Sequence, residues 1–249
     1  MQSLNLAISQ SRRTMKIITW NCQGAFRKKA PHLLDLQPTL AAIQECECPA
    51  KLRFPKGCQP PMDFLWQGDN LDKGVGVFAY GDLRFALDER YDPAFRHCIP
   101  LRVSGAYDLH LLAIWAMGHR QKARSYIGQI YHALLHYADF IRERETILLG
   151  DWNSNAIWDR ERSVSNHSAV VQLLADANLV SVYHEYFDET PGRERQHTYF
   201  HHRSPHQGYH LDYCFVPKSW LPRLKTVTIG DFEPWCEQSD HTPLLVEFT

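Results

Sequence analysis

The sequence predicts an α/β (α+β) protein made of two packed β-sheets with helices outside. Three observations carry this expectation. Short runs rich in Val, Ile, Leu and aromatic residues, bounded by Gly, Pro, Asp or Asn, recur nine times along the chain. Helical periodicity appears in only two stretches. Many strands with few helices bury their apolar faces best as sheet against sheet, with helices covering the outer faces. The length, 249 residues, suits one large domain that buries roughly three-quarters of its unfolded surface and needs no covalent staples.

In chain order, residues 1–14 are polar and patternless. Ser11-Arg12-Arg13 resembles the start of a twin-arginine export signal, but neither an apolar h-region nor a small-residue cleavage site follows. This stretch reads as a disordered extension ahead of a single domain over residues 15–249. Expected strands are Lys16–Trp20, Leu40–Gln44, Val75–Ala79, Pro100–Val103, Leu109–Trp115, Thr146–Leu149, Leu211–Val216, Thr226–Ile229 and Leu244–Phe248. The spacing predicts a helix over Gln121–Ile141, with Ile127, Ile130, Tyr131, Leu134, Leu135, Ala138 and Ile141 on one face. A second helix is expected over Ser168–Ala177. The Pro- and His-rich stretches at 49–63 and 190–210 read as long loops.

Composition narrows the function classes. The net charge of −1 makes the chain as a whole no electrostatic magnet for nucleic acid or anionic membrane, so a polyanion must be held by a local patch. No run of 18 apolar residues exists, so no transmembrane helix and no membrane partner are expected. The seven cysteines are odd in number and several lie in apolar stretches, which fits reduced thiols in a cytoplasmic protein better than a disulfide framework. No C-x-x-C pair is present, and Cys46-x-Cys48 alone is a weak metal signal.

Five segments share one grammar, an apolar strand ending in a residue that can bind metal, phosphate or a proton. They are Thr19-Trp20-Asn21-Cys22, Ile43-Gln44-Glu45, Gly150-Asp151-Trp152-Asn153, His210-Leu211-Asp212-Tyr213 and Ser239-Asp240-His241-Thr242. A strand end is rigid behind the residue and open in front of it. Asp151 and Asn153 share a face if the strand persists, which would let a carboxylate base and a phosphate-holding amide meet one substrate atom. Asp240 and His241 are neighbours and point apart in extended chain. The carboxylate that orients His241 should therefore come from another strand, and Asp212 is the obvious one. Singly, each segment has an ordinary reading as a turn, a solvated carboxylate or a local hydrogen bond. Their joint, ordered occurrence is what points to a site.

That ordered set resembles the endonuclease/exonuclease/phosphatase superfamily, which includes exonuclease III-type AP endonucleases, pancreatic-type deoxyribonucleases, sphingomyelinases and inositol-polyphosphate phosphatases. The match runs from Trp20-Asn21 to Ser239-Asp240-His241, almost the whole chain beyond residue 15. The resemblance implies one catalytic domain, a four-layer sandwich of two mixed sheets with outer helices. It also implies roles. Asn21 and Glu45 would help hold a metal, with Asp240 on the metal or second-metal side. Asp151 would activate or position the attacking water, Asn153 would bind the phosphate, and His241, oriented by Asp212, would contact the scissile phosphate. Amide and carboxylate oxygens are hard ligands that favour Mg²⁺ or Mn²⁺ over Zn²⁺. The chemistry needs such help. The barrier reduction required is on the order of 20 kcal/mol, of which one general base supplies about 3–5 kcal/mol.

The chain departs from its relatives at the end of the strand before the long helix. Many of them place a Tyr or His there. Here it is Trp115, which can donate one hydrogen bond but cannot transfer a proton. His119 is a candidate to substitute for it, while core for Trp115 and surface for His119 are equally ordinary readings. The loop resembles the family's substrate-binding loop. In it His201, His202 and Arg203 could contact phosphates, and Tyr209 lies where AP endonucleases place an aromatic beside the sugar pocket. The five histidines of 197–210 match no standard zinc spacing. Arg27, Lys28 and Lys29 form a second candidate patch or a solvated turn. The resulting expectation is a monomeric Mg²⁺-dependent nuclease with DNA as substrate. The alternatives are a phosphatase of small-molecule or lipid esters, and a non-catalytic nucleic-acid binder; the latter should have lost one of the seven motif residues, and none is lost.

Overall fold

The computed structural model describes residues 14–121, 124–160 and 163–249. The expected N-terminal extension lies outside the described residues except for Thr14. Two six-stranded sheets face each other. The first has the order β13-β14-β1-β2-β4-β3 and comprises β1 (Met15–Asn21), β2 (Leu40–Cys46), β3 (Asp63–Asn70), β4 (Lys73–Ala79), β13 (Leu224–Ile229) and β14 (Leu244–Phe248). The second has the order β5-β6-β7-β8-β12-β9 and comprises β5 (Leu83–Leu87), β6 (Cys98–Gly105), β7 (Leu109–Trp115), β8 (Thr146–Asp151), β9 (Leu179–Ser181) and β12 (Asp212–Pro217). Both sheets are mixed, and in each a single pair runs parallel, β1 with β2 and β7 with β8. A hairpin of β10 (Tyr199–Phe200) and β11 (Gly208–Tyr209) stands apart.

Alternation along the strands creates three cores. Ile17 of β1, Ala42 of β2, Leu111 and Ala113 of β7, and Ile147 and Leu149 of β8 meet between the sheets. Their neighbours Leu112, Ile114 and Leu148 face outward against α2 (Ile127–His136), α3 (Ala138–Glu143) and α4 (His167–Asp176). On the opposite side Ile18, Trp20, Ala41 and Ile43 pack on Phe26, Ala30 and Leu33 of α1 (Phe26–Leu34). The order helix, sheet, sheet, helix is the four-layer sandwich.

Where the structure differs from the sequence reading, the reasons are local. The described part of the stretch expected as one helix over Gln121–Ile141 is two helices. Tyr126 (φ 50) holds off the start until Ile127, and Tyr137 (φ −92, ψ 18) breaks the run by burying its ring. β3, β5 and β9 were not expected as strands. All three are edge strands or next to short edges, and β3 (DFLWQGDN) and β5 are only half-buried, so they lack an apolar run. Pro31 inside α1 hid that helix. Among the described residues no helix is long and apolar enough to cross a membrane.

Candidate active site

The inter-sheet face that carries Ile17 also carries Asn21, two turns of the alternation later, and the face that carries Ile147 and Leu149 carries Asp151. Both residues end the first strand or second strand of a parallel pair. They meet across the sandwich, where Asn21 Nδ2 donates to Asp151 Oδ2 at 2.9 Å. Asp212 lies directly opposite Asp151 in the antiparallel pairing of β12 with β8. Two fully buried carboxylates on neighbouring strands repel unless a proton or cation joins them.

His241 supplies that positive charge. Its Nδ1 donates to Asp212 Oδ2 at 2.8 Å, and its Nε2 stands 3.9 Å from Asp151 Oδ2. Burial disfavours the imidazolium, but Asp212 and Asp151 outweigh it and raise His241 to about 9. Burial likewise raises Asp151 to about 7, against the lowering effect of His241. The segment around His241 is tied to the first sheet, since Ser239 Oγ donates to Asn21 O (2.7 Å) and Trp20 Nε1 to His241 O (2.8 Å).

Asp151 is held on every side. Its Oδ1 accepts from Asn153 N (2.8 Å), and its Oδ2 accepts from Asn153 Nδ2 (2.9 Å) as well as from Asn21. The strand does not persist to Asn153, as the extended geometry assumed. The strand ends at Asp151, and Asn153 turns back in a left-handed conformation (φ 46). Its amide nitrogen also donates to Ala116 O (3.0 Å). Asn153 therefore positions Asp151 in this arrangement instead of pointing its N–H groups outward. Gly150 (φ 149) is required just before, because a Cβ there would lie 1.9 Å from Ile114 O.

Glu45 is aimed by a β-bulge. Alternation from Ala42 puts Gln44 between the sheets, where it bonds Thr19, and would turn Glu45 to the helix side. The pairing with β4 slips between Gln44 and Cys46, and Glu45 adopts φ 56. Its Oε1 accepts from Asn21 Nδ2 at 3.4 Å, and its Oε2 is paired with the Lys73 ammonium. Lys73 escaped the sequence reading because it precedes the apolar run of β4. The Asn21 oxygen accepts from Gln23 N (3.0 Å), so the amide presents nitrogen to both carboxylates. Both Glu45 oxygens are thus partnered, and a metal held there would take the place of the Lys73 ammonium. One or two carboxylates, completed by water and substrate phosphate, are what Mg²⁺ takes, and the ammonium on Glu45 shows a place for a cation. The residues fit a single hard divalent ion.

The remaining candidates divide. Arg203 donates to Glu237 O and Gln23 Oε1, and with His201, His202, Tyr199 and Asp240 it lines a cleft of about 390 Å³ beside His241. Asp240 faces that cleft. Tyr209 pairs with Tyr199 across the hairpin, and the Tyr199 ring lies 4.8 Å from that of His241. Trp115 ends β7 beside Asp151, yet its ring is 4% exposed and packs on His97 in the inter-sheet core. His119 sits on an exposed turn whose contacts are its own, with Ser125 and Gln121. Neither is brought to the cluster. Arg27 is engaged by the buried Glu47 (2.9 Å) and Lys29 by Cys22 O, while Lys28 has no ion pair among the described residues.

Comparison with known proteins places the fold. No family model and no curated protein matches the chain. Among solved structures, a 3′ phosphatase, NExo, from Neisseria, bound to a product DNA hairpin, is 22% identical (TM-score 0.67; 94% of this chain and 99% of that one covered). An AP endonuclease from Archaeoglobus fulgidus is 18% identical (TM-score 0.66; 94% and 99%). The endonuclease domain of TRAS1, a telomere-specific non-LTR retrotransposon, is 15% identical (TM-score 0.64; 95% and 98%).

Proposed function

From the fold of the endonuclease/exonuclease/phosphatase superfamily, which this chain has, we propose that it is a divalent-metal-dependent phosphodiester hydrolase acting on nucleic acid, DNA first. The observation that carries this reading is the Asp151–Asp212–His241 cluster, whose ligand atoms lie within 4.8 Å of one another at the mouth of both parallel pairs. In the mechanism, Asp151 accepts the proton of the attacking water while Asn21 and Asn153 hold its carboxylate on line. His241, kept charged and oriented by Asp212, stabilises the developing negative charge on the phosphate. Glu45 would hold Mg²⁺ or Mn²⁺, which supplies charge neutralisation on the phosphoryl oxygens. The fold is similar to that of the 3′ phosphatase bound to a product DNA hairpin, which supports DNA as substrate.

The test is hydrolysis of abasic duplex, single-stranded DNA and RNA by the purified chain with Mg²⁺, abolished by EDTA. Hydrolysis unchanged in EDTA, or confined to inositol phosphates and lipid head groups, sinks the reading.

Metal binding gives a separate check, read by Mn²⁺ electron paramagnetic resonance without substrate. Glu45→Gln is expected to weaken Mn²⁺ binding at least roughly tenfold, the scale at which disturbing a metal site costs affinity. Lys73→Met is expected to tighten it. A unit cation at about 4 Å opposes a divalent one by on the order of 2 kcal/mol in water, or roughly thirtyfold. Weaker Mn²⁺ binding in Lys73→Met would assign Lys73 a supporting role instead.

A further inference from the structure

Beyond the reacting cluster, the rim carries an apolar pair that the chemistry does not use. Ile157 and Trp158 are 52% and 49% exposed, in a single 3₁₀ turn over Ala156–Trp158. Isolated exposed apolar residues are ordinary. This pair differs in how firmly it is held. On the near side Asn155 Oδ1 accepts from Ile157 N (3.0 Å), while Asn155 Nδ2 donates to Glu194 Oε2 and His210 O, both at 3.1 Å. On the far side the Asp159 carboxylate accepts from His167 N (2.8 Å) and Ser168 N (2.9 Å) at the start of α4. An apolar surface that is exposed and also anchored at both ends is built for contact.

The contact is aromatic. The Trp158 ring lies 5.1 Å from Tyr209, Tyr209 stacks on Tyr199 at 6.4 Å, and Tyr199 reaches His241 at 4.8 Å. A continuous aromatic track therefore runs from the reacting histidine to the half-exposed indole. Base faces inside a duplex are covered by their neighbours, so such a track can only receive bases that are unstacked.

We propose that Trp158 is a specificity-determining residue that stacks on an unstacked nucleobase near the scissile phosphate, so that the enzyme takes its substrate as a single strand or with a displaced nucleotide. The inference rests on the nucleic-acid reading above. It places the aromatic end of the track on the base and leaves the Arg203 cleft, at the other side of Tyr199, for phosphate.

A chemical double-mutant cycle tests it. Trp158→Ala and Trp158→Phe are compared with the wild-type chain on a single-stranded deoxyoligonucleotide and on an equally long strand of tetrahydrofuran phosphates, which has no bases. Steady-state kcat and KM are measured with Mg²⁺. Trp158→Ala should raise KM for the base-bearing strand roughly tenfold, within the range for one stacked base, with kcat nearly unchanged. It should leave KM for the baseless strand where it was, and Trp158→Phe should restore most of the loss. An equal effect on both strands, or no effect on the base-bearing strand, overturns the proposal while the nuclease reading stands. A wild-type chain that neither binds nor cleaves either strand overturns the proposal, and one that also leaves abasic duplex and RNA intact overturns the nuclease reading.

Discussion

Asp151→Asn is expected to lower turnover roughly 10²–10⁴-fold, the range for losing one general base, with the fold kept. Asn is nearly isosteric, and its one oxygen can keep either the bond from Asn21 Nδ2 or the bond from Asn153 N. It cannot take a proton from water. His241→Ala should cost a comparable factor for a different reason. It removes the imidazolium from between two buried carboxylates, which favours a proton on Asp151 in the free protein and so costs its function as a base. The measurement is single-turnover rate at saturating substrate, with circular dichroism to confirm the fold. Turnover near the wild-type value in folded Asp151→Asn would remove Asp151 from the reaction.

The second large effect is on stability in acid. His210 and His167 are fully buried, and burial lowers them to about 3 and about 4. Each has an Nε2 without a hydrogen-bond partner among the described residues, so the folded site favours the neutral ring. The unfolded chain binds these protons near pH 6.5. Stability from both groups is therefore fully present above that pH and is lost as the pH falls toward 4 and 3. His210→Asn keeps a donor near Gln196 O, where Nδ1 lies at 3.1 Å, and has no proton to gain. The difference in unfolding free energy between pH 7 and pH 4 should shrink in that variant by on the order of 3 kcal/mol. Asp151, raised by burial, works in the opposite sense in the wild type. Comparison of urea midpoints between wild type and variant at each pH cancels its contribution. Parallel stability curves would show that His210 is protonated in the folded state.

Much of this was legible in the sequence because it rests on period-two alternation. Ile17, Ile147 and Leu149 mark one face by pattern alone, and the same parity delivers Asn21, Asp151 and Asp212 to it. The adjacency of Asp240 and His241 also excluded one partner for the imidazole. What escaped were features that break the pattern. Edge strands β3 and β5 are half-exposed and look like loops. The bulge at Glu45 and the left-handed turn at Asn153 reverse the direction alternation would give. Lys73 and Trp158 act through neighbours brought close only by folding, and nothing in their own flanks announces them. Trp115 misled because position at a strand end says nothing of which way an indole packs when the inter-sheet core has room for it.

The 2.9 Å bond between Asn21 and Asp151 joins the last residue of a strand in one sheet to that of a strand in the other. No single layer owns the geometry of this candidate site, so under the proposed function turnover would act as a gauge of the gap between the layers. Warming or mild denaturant that lets the two sheets slide by a fraction of an ångström should erode turnover while both sheets, and their circular dichroism, are still intact. Inactivation is then expected to precede melting, and a volume-losing change in the shared core, such as Leu149→Ala, should lower the temperature of half-inactivation more than it lowers the melting temperature.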